Sequence, residues 1–353
     1  MRNPQGLAAN NALHQPVLAR TCVELLSPAL TGPNAVLIDC TLGMGGHSEA
    51  ILQANPQVHV IGIDRDVEAI KLASERLRSF GERFTAVHAT YDRVDEVAAK
   101  FGRAGLVDGI LMDLGVSSLQ LDEVERGFSY AHDAPLDMRM DTSTGESAKE
   151  LLARASAAEL TQILRDYGEE KYAAKIAAQI VQRREVAPLA TTGELVALIR
   201  DALPQKAKRE GGNPAKRTFQ ALRVAVNDEL AILRLALPRA IESLAIGGRL
   251  VVESYQSLED RIVKAAMNRG LQSTTPLGLP VELADHQPYL QALVRGAMKA
   301  DTDEIARNPR SQSVRLRAVV RTRETPVHVL QELRLSKSLA THRNQQTTEG
   351  ETK

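Results

Sequence analysis

Val-Leu-Ile-Asp-Cys-Thr-Leu-Gly-Met-Gly-Gly-His, residues 36–47, is the stretch that decides the fold. Its first five residues are almost all apolar, which predicts a short strand buried on both faces of a parallel sheet. A glycine-rich turn follows, and a helix is predicted to begin near His47. A strand that passes through such a turn into a helix is the first half of a βαβ unit. This stretch therefore predicts an α/β fold.

Three further apolar runs of strand length follow, at residues 58–63, 84–89 and 107–114, with helical segments between them. The second run leads into Asp64, and Asp66 is a favoured residue type for the N-cap of the next helix. This regular alternation of strand and helix predicts a doubly wound, mostly parallel sheet.

The pattern changes after residue 114. Residues 146–203 are predicted to be helical throughout, and the next strands are predicted only at 247–253 and 314–320. The economical interpretation is an all-helical domain inserted into a doubly wound α/β domain. The predicted units are 1–114 with a loose tail at 1–11, the helical insertion at 115–215, the second α/β part at 216–334, and a disordered tail at 335–353. A long loop is predicted at 272–310.

The composition restricts the class of protein. The 353 residues include 44 Lys and Arg and 44 Asp and Glu, which excludes a globally basic nucleic-acid binder but permits a local basic patch. Aromatic residues make up only 3%, which argues against RNA binding through many stacked bases. The first residues show no signal-peptide pattern and no apolar run reaches membrane-spanning length, so we expect a cytoplasmic protein that binds no membrane.

Two cysteines, Cys22 and Cys40, are too few for the usual zinc sites, and no metal is expected. The sequence leaves undecided whether the two cysteines form a disulfide. For Cys40, a reduced side chain in the core is the favoured interpretation. The sequence contains no feature that predicts the oligomeric state.

The glycine-rich turn and a downstream acid predict a nucleoside cofactor. Glycines let the backbone approach a ligand closely, and the start of the following helix offers free N–H groups. Asp64 ends the next strand about 20 residues on, where an acid holds ribose hydroxyls. An ordinary strand-to-helix turn, with Asp64 as a helix cap, explains the same residues equally well.

The choice of cofactor follows from the residues around this turn. A dinucleotide fingerprint needs a third glycine where Ser48 stands, and no Lys-Ser/Thr pair of a phosphate loop is present. Asp39 places a negative charge beside the turn, which suits a cation better than a pyrophosphate. S-adenosylmethionine carries an amino group and a sulfonium, so it matches this turn better than a dinucleotide does.

A second candidate site lies at the end of the strand predicted at 107–114. Ligands bind outside the carboxyl ends of strands in open α/β sheets, and Asp113 lies at such an end. Its carboxylate can accept a hydrogen bond from a cofactor or from a substrate amine. Capping of the next helix is the competing interpretation.

A set of motifs in one order along the chain resembles the ribosomal RNA small-subunit methyltransferase H family, also called MraW. The set covers most of residues 12–320, and it is specific where any single motif would be weak. The matching stretches are His14-x-Pro-Val-Leu, Asp39-x-Thr-x-Gly-x-Gly-Gly-His47-Ser, Gly62-Ile-Asp64-Arg-Asp, Asp108-Gly-Ile-Leu-Met-Asp113-Leu-Gly-Val-Ser-Ser-x-Gln120-Leu-Asp, Glu125-Arg-Gly-Phe-Ser, Pro135-Leu-Asp-Met-Arg-Met-Asp141, Tyr167-Gly-Glu-Glu, Lys216-Arg-Thr-Phe-Gln-Ala-Leu-Arg-Val-x-Val-Asn227 and Ser257-Leu-Glu-Asp-Arg-Ile-Val-Lys264.

The resemblance implies a class I, Rossmann-like methyltransferase domain with a helical insertion. It implies S-adenosylmethionine-dependent N4-methylation of a specific cytidine in the decoding region of 16S rRNA, with the small ribosomal subunit as partner. Carried over by position, the cofactor contacts are Gly45, Gly46, His47, Asp64, Tyr91, Asp113 and Gln120. A catalytic role for Asp113, as an acceptor near the methyl group, is a hypothesis beyond the resemblance.

The chain departs from the family pattern after its late strand, where the common Ser-Phe-His-Ser becomes Ser254-Tyr255-Gln256-Ser257. An amide has no useful basicity, so we assign no general base at Gln256, although a hydrogen-bonding role survives. The alternatives left open are a methyltransferase-fold ribosome-assembly protein without catalysis, and a methyltransferase acting on another RNA, on DNA or on a protein amine. An NAD-dependent dehydrogenase is disfavoured by Ser48.

Basic residues around the end of the predicted insertion are candidates for phosphate contacts, with a solvated charge run as the competing interpretation. They are Arg183, Arg184, Lys206, Lys208, Arg209, Lys216 and Arg217. Phe128, Tyr130 and Phe219 are candidates for stacking on bases and equally for the core.

Overall fold

The computed structural model describes residues 16–205, 213–276, 278 and 281–332. The predicted tails at 1–11 and 335–353 lie outside these residues. The strands are β1 (Val36–Asp39), β2 (His59–Asp64), β3 (Phe84–His88), β4 (Val107–Asp113), β5 (Leu244–Ser254), β6 (Leu290–Ala292) and β7 (Arg315–Arg321). The α-helices are α1 (Ala19–Leu26), α2 (Gly46–Ala54), α3 (Val67–Arg76), α4 (Val94–Phe101), α5 (Ser118–Asp122), α6 (Ala148–Arg154), α7 (Ala157–Gly168), α8 (Ala173–Val186), α9 (Thr192–Ala202), α10 (Lys216–Val226), α11 (Glu229–Ser243), α12 (Ser257–Leu271) and α13 (Thr302–Arg307).

In the described part of the chain, the strands form one seven-stranded sheet in the order β3-β2-β1-β4-β5-β7-β6. The first five strands of that order pair in parallel. β7 pairs antiparallel with both β5 and β6. The predicted doubly wound, mostly parallel sheet is therefore confirmed, and it has an antiparallel edge.

Two apolar clusters cover the two faces of this sheet. Helices α4, α11 and α12 pack on one face, over side chains that include Ile38, Ile110 and Val252. Helices α1, α2 and α3 pack on the other face, over Leu37, Leu111 and Val251. Side chains two positions apart on a strand share a face. The acids that follow Leu37, Leu111 and Val251 by two positions therefore lie on the face of α1–α3, at the last or, in β5, the last but one residue of the strand; they are Asp39, Asp113 and Glu253.

A third apolar cluster belongs to the helical region between β4 and β5. It joins residues of α6, α7, α8, α9 and α10, from Leu136 to Leu222. This cluster confirms an inserted helical unit, and it includes Phe219 and Leu222, which lie beyond residue 215. The domain boundaries themselves stay predictions.

The prediction of a long loop at 272–310 is wrong in two places. Residues Leu290–Ala292 form β6 on the sheet edge, and Thr302–Arg307 form α13, which Asp301 caps. Each element is too short to show a periodic apolar pattern. No helix among the described residues is both long enough and apolar enough to cross a bilayer.

Candidate cofactor-binding and active site

The predicted site residues lie at the carboxyl ends of four neighbouring strands. Gly45 to His47 follow β1, Asp64 ends β2, Tyr91 follows β3 and Asp113 ends β4. These strands are adjacent and parallel, so their terminal loops meet at one edge of the sheet. The strand order reverses between β1 and β4, which is where open α/β sheets bind their ligands.

The glycine-rich turn depends on glycine for both conformation and packing. Gly43 and Gly45 adopt the left-handed region with φ of 50° and 78°, and Gly45 is the N-cap of α2. A Cβ on Gly46 would lie 3.2 Å from Cγ of Pro16. The first N–H groups of a helix have no intrahelical partner, so the start of α2 can bind an anionic group such as a carboxylate.

Asp64 connects this turn to the end of β2. Its Oδ2 accepts from the N–H of Gly43 at 2.8 Å, and its Oδ1 accepts from the N–H of Asp66 at 2.9 Å. Burial raises the pKa of Asp64 to about 6, against the effect of these two hydrogen bonds. Asp66, which accepts from the N–H of Glu68, is the N-cap of α3. The interpretation of Asp64 as a helix cap is therefore wrong.

Gln120 lies behind this loop and is buried. Its Nε2 donates to Oδ2 of Asp66 at 3.2 Å, and its Oε1 accepts from the N–H of Ser117 at 3.0 Å. Arg126 donates to the same oxygen of Asp66. Ser117 caps α5, so the interpretation of Asp113 as that cap is wrong. A direct contact of Gln120 with the cofactor stays a prediction.

Tyr91 follows β3 and packs against the apolar cluster under α4 and α11. Its hydroxyl donates to the carbonyl of Glu229 at 3.4 Å. Burial raises the pKa of Tyr91 well above its usual range, with a contribution from Glu229. The aromatic ring is therefore held by the protein beside the end of β2.

Asp113 is fixed from three directions. Its N–H donates to Oγ1 of Thr41 at 2.7 Å, and its Oδ1 accepts from the hydroxyl of Tyr255 at 2.9 Å. Its Oδ2 lies 3.6 Å from Nδ1 of His47, and 27% of the side chain is exposed. Asp113 is thus a held carboxylate with one face open to solvent.

Glu253 was not predicted as a site residue, although it lies one residue before the end of β5 and next to Asp113 in the sheet register. Its side chain is fully buried, and its Oε2 has no hydrogen-bond partner among the described residues. Burial raises the pKa of Glu253 well above its usual range, and Asp113 adds to the effect. The rule that places ligands at strand ends would have found this acid if it had been applied to β5.

His47 and Cys22 complete the cluster around Glu253. Nε2 of His47 contacts the carbonyl of Val17 at 2.9 Å and lies 3.7 Å from Oε2 of Glu253. The thiol of Cys22 donates to Oε1 of Glu253 at 3.4 Å. Donor atoms of these three side chains all lie within 4.8 Å of one another, a set of residue types that metal ions bind. In the present arrangement Cys22 is hydrogen-bonded to Glu253 and His47 to the carbonyl of Val17, and the expectation that no metal is bound stays a prediction.

Both cysteines are free and buried, which confirms the reduced state favoured for Cys40.

The Asp137–Arg139 pair in the loop after α5 is joined by two side-chain hydrogen bonds, at 2.8 and 2.7 Å. This pairing satisfies the charges of a segment that packs against the α/β domain.

The basic and aromatic candidates for RNA contact lie in different surroundings. Arg184 donates to the carbonyls of Leu152 and Ala155, which places its guanidinium at the end of α6. Phe128 and Phe219 are buried, and Tyr130 contacts Phe219 edge to face with ring centroids 5.7 Å apart. These aromatic side chains are therefore part of the core. Lys206, Lys208 and Arg209 lie outside the described residues.

The model of the MraW methylase family matches residues 11–322 of this chain. Three proteins called ribosomal RNA small subunit methyltransferase H are similar to it. The protein of Beutenbergia cavernae is 60% identical over 92% of this chain and 97% of its own length. That of Mycolicibacterium gilvum is 56% identical over 90% of this chain and 85% of its own length. That of Streptomyces avermitilis is 54% identical over 88% of this chain and 98% of its own length.

Among solved structures, an rRNA methylase from Streptococcus thermophilus aligns with 92% of this chain and 99% of its own, with a TM-score of 0.36 and 10% identity. The family assignment does not depend on this alignment. It follows from the match of the family model over most of the sequence and from the relatives above 50% identity. The chain therefore belongs to the MraW methylase family.

Proposed function

We propose that this chain transfers a methyl group from S-adenosylmethionine to N4 of a specific cytidine in the 16S rRNA of the small ribosomal subunit, in its decoding region. The observation that carries the proposal is the meeting of the glycine-rich turn, Asp64 and the partly exposed Asp113 at one edge of the sheet. The relatives named ribosomal RNA small subunit methyltransferase H support ribosomal RNA as the substrate class.

The residues present fit S-adenosylmethionine by their charges. The N–H groups at the start of α2 suit its carboxylate, and Asp64 suits the ribose hydroxyls. Its amino and sulfonium groups are cationic, and three acids lie near the carboxyl ends of β1, β4 and β5 on the face of α1–α3. The buried Oε2 of Glu253, which has no hydrogen-bond partner among the described residues, is consistent with a cationic ligand nearby. Tyr91 and Gln120 are the remaining proposed cofactor contacts.

The bound cofactor supplies an electrophilic methyl group whose transfer breaks the carbon–sulfur bond and leaves its electron pair on sulfur. The amine of cytosine is a weak nucleophile because its lone pair is delocalised into the ring. Asp113 can accept a hydrogen bond from N4–H, which orients the amine and raises its electron density. The same carboxylate can accept the proton that the amine loses once the new bond to carbon has formed. No stronger base is required, so Gln256 does not contradict this proposal.

An unpaired cytidine is the favoured target, because a base inside a duplex must leave its stack to reach the sheet edge. The phosphates would be held by the basic residues between Lys206 and Arg217 and by Arg183. Arg217 already donates to the carbonyl of Glu169 at 3.2 Å, so its guanidinium is positioned at the surface of the helical unit.

Mass-spectrometric nucleoside analysis of 16S rRNA tests the proposal. Small subunits from cells that lack this protein would be incubated with the purified chain and S-adenosylmethionine carrying a labelled methyl group. The matched control is Asp64→Ala, which removes the ribose acid. Labelled N4-methylcytidine with the native chain only is the expected result.

Three other results would contradict the proposal in different ways. Cofactor binding by calorimetry without label in any nucleoside would support a ribosome-assembly role without catalysis. A label in another nucleoside or in a protein would move the activity to another substrate. Absence of cofactor binding would overturn the assignment of the glycine-rich turn itself.

A further inference from the structure

The hydroxyl of Tyr255 contacts the carboxylate that is proposed to act on the substrate amine. Tyr255 follows β5, and its hydroxyl donates to Oδ1 of Asp113 at 2.9 Å across 142 residues of sequence. This hydrogen bond joins the ends of two neighbouring strands, β4 and β5.

The protein holds Tyr255 at both ends. Its backbone N–H donates to Oε2 of Glu259 at 2.9 Å, which fixes the turn between β5 and α12. Its ring packs against the apolar cluster under α1–α3 and lies beside the Gly115 turn, where a Cβ would be 3.8 Å from its Cδ2. Burial raises the pKa of Tyr255 well above its usual range, so the hydroxyl stays a neutral donor.

The carboxylate of Asp113 lies between Glu253 and His47. Glu253 lies beside it in the register, fully buried, and His47 lies on the other side with Nδ1 at 3.6 Å from Oδ2, beyond hydrogen-bond distance. Thr41 fixes only the backbone of Asp113. The hydroxyl of Tyr255 therefore fixes Oδ1 of Asp113, the buried carboxyl of Glu253 is a second side chain in hydrogen-bond contact with Asp113, and Oδ2 keeps a lone pair for a substrate N–H.

We propose that Tyr255 is a positioning residue for methyl transfer, whose hydroxyl holds the carboxylate of Asp113 so that Oδ2 faces the substrate amine. This inference rests on the proposed function. It assigns the effect of Tyr255 to the reaction step and not to cofactor binding, because loss of the hydroxyl leaves the charge of Asp113 and the cofactor contacts proposed at β1, β2 and β3 in place and removes only the hydrogen bond that orients the carboxylate of Asp113.

The test is Tyr255→Phe, which keeps the ring and removes the hydroxyl. Tyr289→Phe is the matched control, because Tyr289 is also buried but lies beside β6, at the far edge of the sheet. We expect Tyr255→Phe to lower kcat for N4-methylcytidine formation by about 10- to 100-fold, the effect of one hydrogen bond to a charged group. KM and the calorimetric affinity for S-adenosylmethionine should change by less than about threefold. Tyr289→Phe should match the native chain.

A readout without turnover is isotope-edited infrared spectroscopy of the chain labelled with ¹³C in its aspartate carboxylates. The band of Asp113, identified by its loss in Asp113→Asn, should shift in Tyr255→Phe and stay in place in Tyr289→Phe. An unshifted band, an unchanged kcat, or a loss of cofactor affinity equal to the loss of kcat would each overturn the inference. A native chain that forms no N4-methylcytidine would overturn the proposed function, and the infrared shift would still decide whether Tyr255 holds Asp113.

Discussion

Asp64, the acid that ends β2, holds the glycine-rich turn after β1 through the hydrogen bond from the N–H of Gly43 at 2.8 Å. The same carboxylate also accepts from the N–H of Asp66, which begins the loop into α3. One side chain thus sets the relative position of the two loops that the proposed cofactor touches. The protonation state of Asp64 therefore affects both the shape of the site and the capacity of this carboxyl to accept hydrogen bonds from ribose hydroxyls.

The pH dependence of cofactor binding follows from Asp64. Burial raises the pKa of this carboxyl to about 6, so it loses its charge as the pH falls through that value. The neutral form is a weaker acceptor, and we expect the Kd for S-adenosylmethionine to rise about tenfold from pH 7 to pH 5, where about one-tenth of Asp64 is ionised. Isothermal titration calorimetry across this range measures the effect.

Asp64→Asn is the control for this prediction. An amide cannot accept from both Gly43 and Asp66 with the same geometry, so the affinity should be lower at every pH. Its Kd should also lose most of its dependence on pH between about 5 and 7. A native chain whose affinity is flat over this range would contradict the role given to Asp64.

Glu259 predicts a pH dependence of stability. Its buried side chain accepts from the N–H groups of Tyr255 and Gln256 at 2.9 and 3.0 Å, and burial raises its pKa to about 7, against the effect of Arg223. The folded state then binds the proton more tightly than the unfolded state. The contribution of Glu259 to the free energy of unfolding should therefore be greatest below pH 4.5 and decrease as the pH rises to about 7, by on the order of 3 kcal/mol.

Urea unfolding of the native chain and of Glu259→Gln, at a series of pH values, isolates this contribution. The amide oxygen of glutamine can still accept from both N–H groups, so the variant should fold. The difference in unfolding free energy between the two chains should change across this window in favour of the variant at higher pH. Equal slopes for the two chains would show that Glu259 titrates normally.

Asn227 joins the loop after α5 to the end of α10. Its Oδ1 accepts from the N–H of Met140 and its Nδ2 donates to the carbonyl of Met138, both at 2.8 Å, and its side chain is buried. Asn227→Ala leaves both backbone groups without this partner. We expect a loss of about 2 to 4 kcal/mol in the free energy of unfolding, measured in urea. Gln162→Ala, at an exposed amide of α7, should cost less than about 0.5 kcal/mol; equal losses in the two variants would contradict the role of Asn227.

Most of the sheet could be predicted from sequence because its parallel strands are buried on both faces and appear as continuous apolar runs. The predicted strands at 36–40, 107–114 and 314–320 differ from β1, β4 and β7 by one residue at their ends. β6 could not be predicted, because Leu290–Ala292 is three residues long and pairs only at the sheet edge. Its pairing depends on β7, which lies more than twenty residues further along the chain.

The site residues also differ in whether the sequence alone predicts them. Acids at strand ends, such as Asp64 and Asp113, are visible in sequence because a polar residue interrupts each apolar run. The hydrogen bond from Tyr255 to Asp113 could not be predicted, because the whole helical insertion separates the two residues in the sequence. The roles of Gln120 in the loop and of His47 beside Glu253 depend equally on distances that no local pattern contains.

Asp113→Asn separates a catalytic role from cofactor binding. The amide keeps an oxygen for the hydroxyl of Tyr255 but is a poorer acceptor for the N4–H group and cannot take up its proton. We expect normal binding of S-adenosylmethionine by calorimetry, within about threefold, and a fall of about 100-fold or more in the single-turnover rate of methyl transfer. Loss of cofactor binding in step with the rate would make Asp113 a cofactor contact alone. A rate within about threefold of the native chain would exclude its carboxylate from the reaction.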